Sequence, residues 1–213
     1  MTLQQHIKES LLTERIHITS KTKSANIQIP TSEKQLVSLI EQELQRQGPD
    51  ADLNFIDTSE ITDMRGLFFK FTDIRNIKID QWDVSNVTNM ESMFSNCENF
   101  EGTGLDKWNV SKVENMYGMF YNCRVFNGDL SRWDVSKVRD MSAMFSKCRN
   151  FNSDLSKWNT GDVRTMSNMF ERCLKFECDL SGWDVSSIFY HVNMFKMCNK
   201  MKKNPQFQPK FRV

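Results

Sequence analysis

The sequence predicts an α/β repeat solenoid, with one short parallel strand and one short helical segment per coil of about 25 residues and a cap at either end. Three observations predict it. Nearly the same run of residues, close to D-L-S-x-W-D-V-S-x-V-x-x-M-x-x-M-F-x-x-C-x-x-F, surrounds Trp82, Trp108, Trp133, Trp158 and Trp183, at steps of 26, 25, 25 and 25. Phe94, Phe120, Phe145, Phe170 and Phe195 keep that step, as do Cys97, Cys123, Cys148, Cys173 and Cys198. Within a unit two periods alternate. Trp133 and Val135, with Asp134 between them, have the two-residue step of a strand, whereas Val138, Met141, Met144, Phe145 and Cys148 follow steps of 3, 3, 1 and 3, one face of a short helix. Strands at equivalent positions are expected to pair in parallel and form one sheet along one side.

In chain order, residues 1–50 read as an N-terminal cap. Leu3, Ile7 and Leu11 have a weak helical spacing, and Ile16 and Ile18 alternate with Ile27 and Ile29 across a polar stretch as in a short hairpin. Ser32 with Gln35 then opens an amphipathic helix lined by Leu36, Ile40 and Leu44, which Gly48-Pro49 stops. Residues 51–200 read as about six coils. The first is degenerate, with Ile56-Asp57-Thr58-Ser59 where later coils have Trp-Asp-Val-Ser, and 69–79 reads as an irregular turn. The last replaces the usual polar and methionine positions with Phe189-Tyr190-His191-Val192 and carries Met201 in place of a phenylalanine. Residues 201–213 read as a basic C-terminal cap in which Phe207 and Phe211 cover the open end.

The net charge of +1 gives no global attraction to nucleic acid or membrane, but the charge is unevenly placed. Between Glu33 and Asp63 stand eight acids against Lys34 and Arg46, and from Lys196 to Val213 six basic residues and no acid. No apolar run reaches signal-peptide or transmembrane length, which predicts a cytoplasmic protein without membrane insertion, or a cell-surface one if a leader has been removed. Five cysteines belong to the repeat and are expected to form a buried, inert column of thiols. Metal ligands must converge on a point, and a column does not. Cys178 lies outside the pattern and is expected to be the exposed thiol. His6, His17 and His191 are scattered, and no nucleophile-elbow, phosphate-loop, dinucleotide or zinc-protease motif occurs. The reading is a protein that is not an enzyme, with no catalytic residues, metal or cofactor.

One strand and one helical segment per unit is the format of a leucine-rich repeat. The units Asp129 to Phe151 and Asp154 to Phe176 resemble those of the BspA-type leucine-rich-repeat-like family, and the resemblance extends over 52–200. It implies a bacterial-type binding solenoid, in many cases an adhesive one on the cell surface.

Strand alternation assigns outward positions on the expected sheet face. A basic row of Lys107, Arg132 and Lys157 runs beside an acidic or amide row of Asp83, Asn109, Asp134, Asn159 and Asp184. The rows read either as a recognition face or as charges that neutralise one another. On the expected helical side, Tyr117 and Tyr121 with Arg139 and Arg164 form a second candidate, since exposed tyrosine and arginine are common interface anchors. The function expected is protein–protein interaction, with an intracellular partner that the chain binds and sequesters or inhibits. A surface adhesin is one alternative. Nucleic-acid binding through Lys200, Lys202, Lys203, Lys210 and Arg212 is another. Oligomeric state is not encoded in any feature of the sequence.

Overall fold

The structure, a computed structural model, describes residues 27–30 and 32–211. The helical spacing from Leu3 to Leu11 and the Ile16–Ile18 arm of the expected hairpin lie outside the described residues. Of the other arm, Gln28 makes one parallel bridge, to Ile56 of the first coil.

Helix α1 spans Glu33–Gln47. Ser32 caps it in an extended conformation, its hydroxyl accepting the Gln35 N–H at 3.3 Å. Glu33 in the first turn and Arg46 in the last complement the helix dipole. Gly48, at φ 84°, ends the helix by donating to the Leu44 carbonyl. Leu36 and Ile40 are fully buried against the apolar cluster that continues through the coils.

The coils stack at the 25-residue step, but they contain neither the strand nor the helical segment expected from the pattern. Among the described residues there is no sheet, and the inter-coil β-pairing consists of isolated parallel bridges. The α/β leucine-rich-repeat format is therefore overturned. The hydrogen bonds give the reason. In the Trp133 coil, the amides of Met141, Ala143, Phe145 and Lys147 donate to the carbonyls of Thr165, Ser167, Met169 and Glu171 in the next coil. The intervening amides of Met144, Ser146 and Cys148 close four-residue turns onto the carbonyls of Met141, Ala143 and Phe145. No amide is left to bond four residues back, so no α-helix forms. The run M-x-x-M-F-x-x-C is two β-turns joined, M-x-x-M and F-x-x-C. The third residue of each, Ala143 and Lys147, lies at positive φ (55° and 67°), as a type II turn requires. Ser92 and Asn96, Gly118 and Asn122, Asn168 and Arg172, and Asn193 and Met197 repeat the arrangement.

The expected strand fails for a related reason. The Trp133 amide donates to Leu130 and the Val138 amide to Val135, so this short extended piece is held between two turns and has no ladder. The bridges that recur from coil to coil fall later, along Asp63, Asn89, Asn115, Asp140, Thr165 and Tyr190. Trp133 and Val135 nevertheless point inward, because three extended residues are enough to alternate faces.

Side chains rather than a sheet bind coil to coil. Rings of Phe94, Phe120, Phe145, Phe170 and Phe195 stack in sequence at 5.6–5.7 Å, and Phe100, Phe126, Phe151 and Phe176 form a second column. Each stacked pair adds about 0.5–1.5 kcal/mol beyond its burial. Every tryptophan donates its indole N–H backward, Trp133 to the Leu105 carbonyl at 2.8 Å and Trp158 to Leu130 at 3.0 Å. The thiols do likewise, Cys148 to Phe120 at 2.9 Å and Cys173 to Phe145 at 2.9 Å. Cys178 departs from expectation and is buried. Its sulfur accepts the Leu155 N–H at 3.3 Å, in the place where Ser153 accepts that of Leu130.

The 26-residue step from Trp82 to Trp108 places its extra residue in Gly102-Thr103-Gly104. Both glycines have φ near 85°, and a Cβ on Gly102 would lie 2.2 Å from the Phe126 ring. At the far end, α2 (Asn199–Lys203) buries Met201, and the tail beyond it packs Phe207 and Phe211 on the core. The Phe207 carbonyl accepts the Leu180 N–H at 2.8 Å, which a further coil would otherwise have to do.

Candidate interaction surface

With no sheet, the first candidate face is a surface of turns. Each member of its acidic and amide row accepts the backbone N–H two residues on: Asp83 from Ser85, Asn109 from Ser111, Asp134 from Ser136, Asn159 from Gly161 and Asp184 from Ser186, at 2.9–3.2 Å. These are Asx turns, and the side chains serve the fold. The side-chain and backbone hydrogen bonds of Ser136, with Lys137 nearby, hold the Asp134 carboxyl below its ordinary range. In the basic row, Lys107 is bound to Asp80 at 2.6 Å, and this bond is the main cause of the lowered Asp80 carboxyl. Arg132 and Lys157 are exposed, and their charges help to lower Asp129 and Asp154 after the Ser131 and Ser156 hydrogen bonds. The face is a lattice of local bonds.

The second candidate set is brought together differently. The Arg164 N–H donates to Arg139 and the Phe189 N–H to Arg164, both at 2.9 Å, so Glu114, Arg139, Arg164 and Phe189 form one outward column. Asn115, Asp140, Thr165 and Tyr190 form the next. Tyr117, Ser142, Ser167 and Val192 form a third, through carbonyls that accept from the coil before. Arg139 is 3.9 Å from Glu114, and Arg164 has no ion pair among the described residues. Tyr117 is 45% exposed. Tyr121 is turned away from this role: Lys147 of the next coil donates to its hydroxyl and lies over its ring.

The three columns end in residues that pattern reading assigned only to a degenerate last coil. Phe189, Tyr190 and Val192 are 70%, 67% and 64% exposed. The signal was present in the alignment of the coils, because these residues occupy outward columns held elsewhere by Arg164, Thr165 and Ser167. A strip results, with exposed aromatic and branched side chains at one end, two arginines beside them, and Tyr117 three coils away.

The thiol column offers no reactive group. Burial pushes Cys97 up to about 12 and Cys198 and Cys178 to about 11, with Cys123, Cys148 and Cys173 raised as well. Among the described residues no group of three or more histidine, cysteine or carboxylate side chains is placed to hold a metal, and no helix is long and apolar enough to cross a membrane. His191 stacks on Phe211 at 3.9 Å, and His6 and His17 lie outside the described residues.

No curated protein and no solved structure matches the chain. A family model matches twice, over residues 39–139 and 93–208, and the overlap is what a repeated motif produces when it fits an array in more than one register. These matches span the second half of the helix, every coil and most of the C-terminal cap, and the chain belongs to the family described as Mycoplasma protein of unknown function, DUF285.

Proposed function

We propose that this chain is a non-catalytic module that binds another protein through the strip of Tyr117, Arg139, Arg164, Phe189, Tyr190 and Val192. One observation carries the reading: three adjacent apolar side chains stand more than half exposed beside arginines, on a chain whose other coils place polar residues at those positions. Aromatic and arginine side chains supply most hot-spot energy in interfaces, and a contiguous exposed apolar patch is unusual on a surface without a partner. The remaining outward rows are engaged in turns and local ion pairs, which leaves this strip as the surface best suited to recognition. Binding of this kind acts by occluding the partner's own surface.

The test is affinity capture with the tagged chain, beside an Arg139→Glu/Arg164→Glu variant, with nuclease treatment and at two salt concentrations. A defined protein retained by the parent and reduced at least about ten-fold by the variant supports the reading. Recovery abolished by nuclease, or lost steeply with salt, replaces it with nucleic-acid binding. A protein captured equally by parent and variant removes the strip from the interface.

A further inference from the structure

The stack of coils is polar, and among the described residues its C-terminal edge is open. At five successive interfaces, amides at a two-residue step donate forward into the next coil, three at the first and four at each of the others. The last set runs from Met166, Asn168, Phe170 and Arg172 to Tyr190, Val192, Met194 and Lys196 at 2.8–2.9 Å. In the last coil the equivalent amides are those of His191, Asn193, Phe195 and Met197, and among the described residues none has an acceptor. The Phe189 carbonyl, equivalent to the Arg164 carbonyl that accepts from Phe189, is likewise without a donor among them. The C-terminal tail satisfies Leu180 on another side of the coil and stacks Phe211 on His191, without a backbone bond to this row among the described residues.

We infer that this edge is a docking site for one extended, acidic polypeptide segment, added in parallel along 189–193 with apolar side chains over Tyr190 and Val192. The inference rests on the protein-binding reading and specifies its mode. Continuity with the coil–coil interface sets the pairing. A segment starting at residue j donates its N–H to the Phe189 carbonyl, and its carbonyls at j+1 and j+3 accept from His191 and Asn193, as Tyr190 and Val192 accept from Met166 and Asn168. Adding a strand to an open edge draws affinity from the main chain and specificity from alternate side chains. Charge complementarity sets the sign, since Lys202, Lys203 and Lys210 of the exposed C-terminal cap have no ion pair among the described residues, and Arg164 adjoins the edge.

The caps exclude a second copy of the chain as occupant. Stacking head to tail requires coils to approach to roughly 5 Å. Helix α1 lies on the first coil through Leu36 and Ile40, and Met201 and Phe207 lie on the last, so two capped ends cannot meet. Two C-terminal edges would set donors against donors and basic residues against basic.

The probe is a labelled nonapeptide alternating glutamate with valine, set against its lysine–valine counterpart. Binding is followed by fluorescence anisotropy and by hydrogen exchange at the His191 and Asn193 amides. The expected result is binding of the glutamate peptide alone, protection of both amides, and at least about ten-fold weakening in a Tyr190→Asp/Val192→Asp variant, whose side chains are exposed and whose fold is checked by circular dichroism. No binding at about 1 mM, equal binding of the lysine peptide, or binding that leaves both amides exchanging as in the free protein overturns the inference. So does a dimer in sedimentation whose amides are protected without peptide, which would assign the edge to a second copy. The protein-binding reading is judged apart, by the Arg139→Glu/Arg164→Glu capture.

Discussion

Asp134 and its equivalents show how a side chain on an outward row can be structural. Its carboxylate accepts the Ser136 N–H at 3.0 Å, and the Ser136 side-chain hydrogen bond together with this backbone bond lowers its pKa. A lowered carboxyl contributes stability that is present above its unfolded value, near 3.8, and is lost as pH falls through the folded value. Asn109 and Asn159 hold the same bond without a titratable group. Asp134→Asn is therefore expected to be close to neutral at pH 7 and to lose less stability than the parent on acidification to about pH 3. Asp134→Ala is expected to cost about 0.5–1.5 kcal/mol at pH 7. Urea denaturation of the three proteins at both pH values checks this, and equal acid sensitivity of parent and Asn variant would remove Asp134 from the turn.

The element that repeats is a pair of joined β-turns, and here pattern reading and structure diverge most. Steps of three and one between apolar residues describe one face of a helix, but two consecutive four-residue turns with apolar residues at both ends generate the same steps. Periodicity reports which residues are buried and leaves the backbone route open. A finer cue was available in the third residue of each turn. Asn96, Asn122, Asn168, Asn193 and Gly118 are residue types that tolerate positive φ, and they recur just before the methionine or cysteine that ends the turn. The residue at the same position in the Trp133 coil, Ala143, has φ 55°, which costs an L-residue about 1–2 kcal/mol. Ala143→Gly is expected to stabilise the protein by about 0.5–1 kcal/mol, after the entropy that glycine loses on folding. A fall in the urea midpoint would contradict the turn geometry. The helix from Glu33 was legible because its cap, stop and apolar face agree.

At the scale of the molecule, stability passes from coil to coil through rings, indoles and thiols, so each coil depends on its neighbours. Trp133 sits near the middle, donating to the Leu105 carbonyl while Phe120 packs beside it at 6.3 Å. Trp133→Ala is expected to cost about 3–5 kcal/mol and to split the single unfolding transition into two, seen by calorimetry. One unchanged cooperative transition would show that the array does not couple through this column. The candidate surface also belongs to this scale. Phe189, Tyr190 and Val192 become a patch with Arg139 and Arg164 only because residues 25 apart stack, and the row of amides without acceptors among the described residues exists only because the coils end there.

The sequence by itself determined that the chain is a capped array with a 25-residue step. It also determined that the tryptophans, valines, methionines, phenylalanines and cysteines at the repeated positions face inward, since burial follows side-chain chemistry and spacing. Only the tertiary structure decided the route of the backbone and the accessibility of its polar rows. Each amide in a coil has two competing acceptors, one three residues back and one in the next coil. The choice between them depends on the neighbour being in place, and no single repeat contains that information.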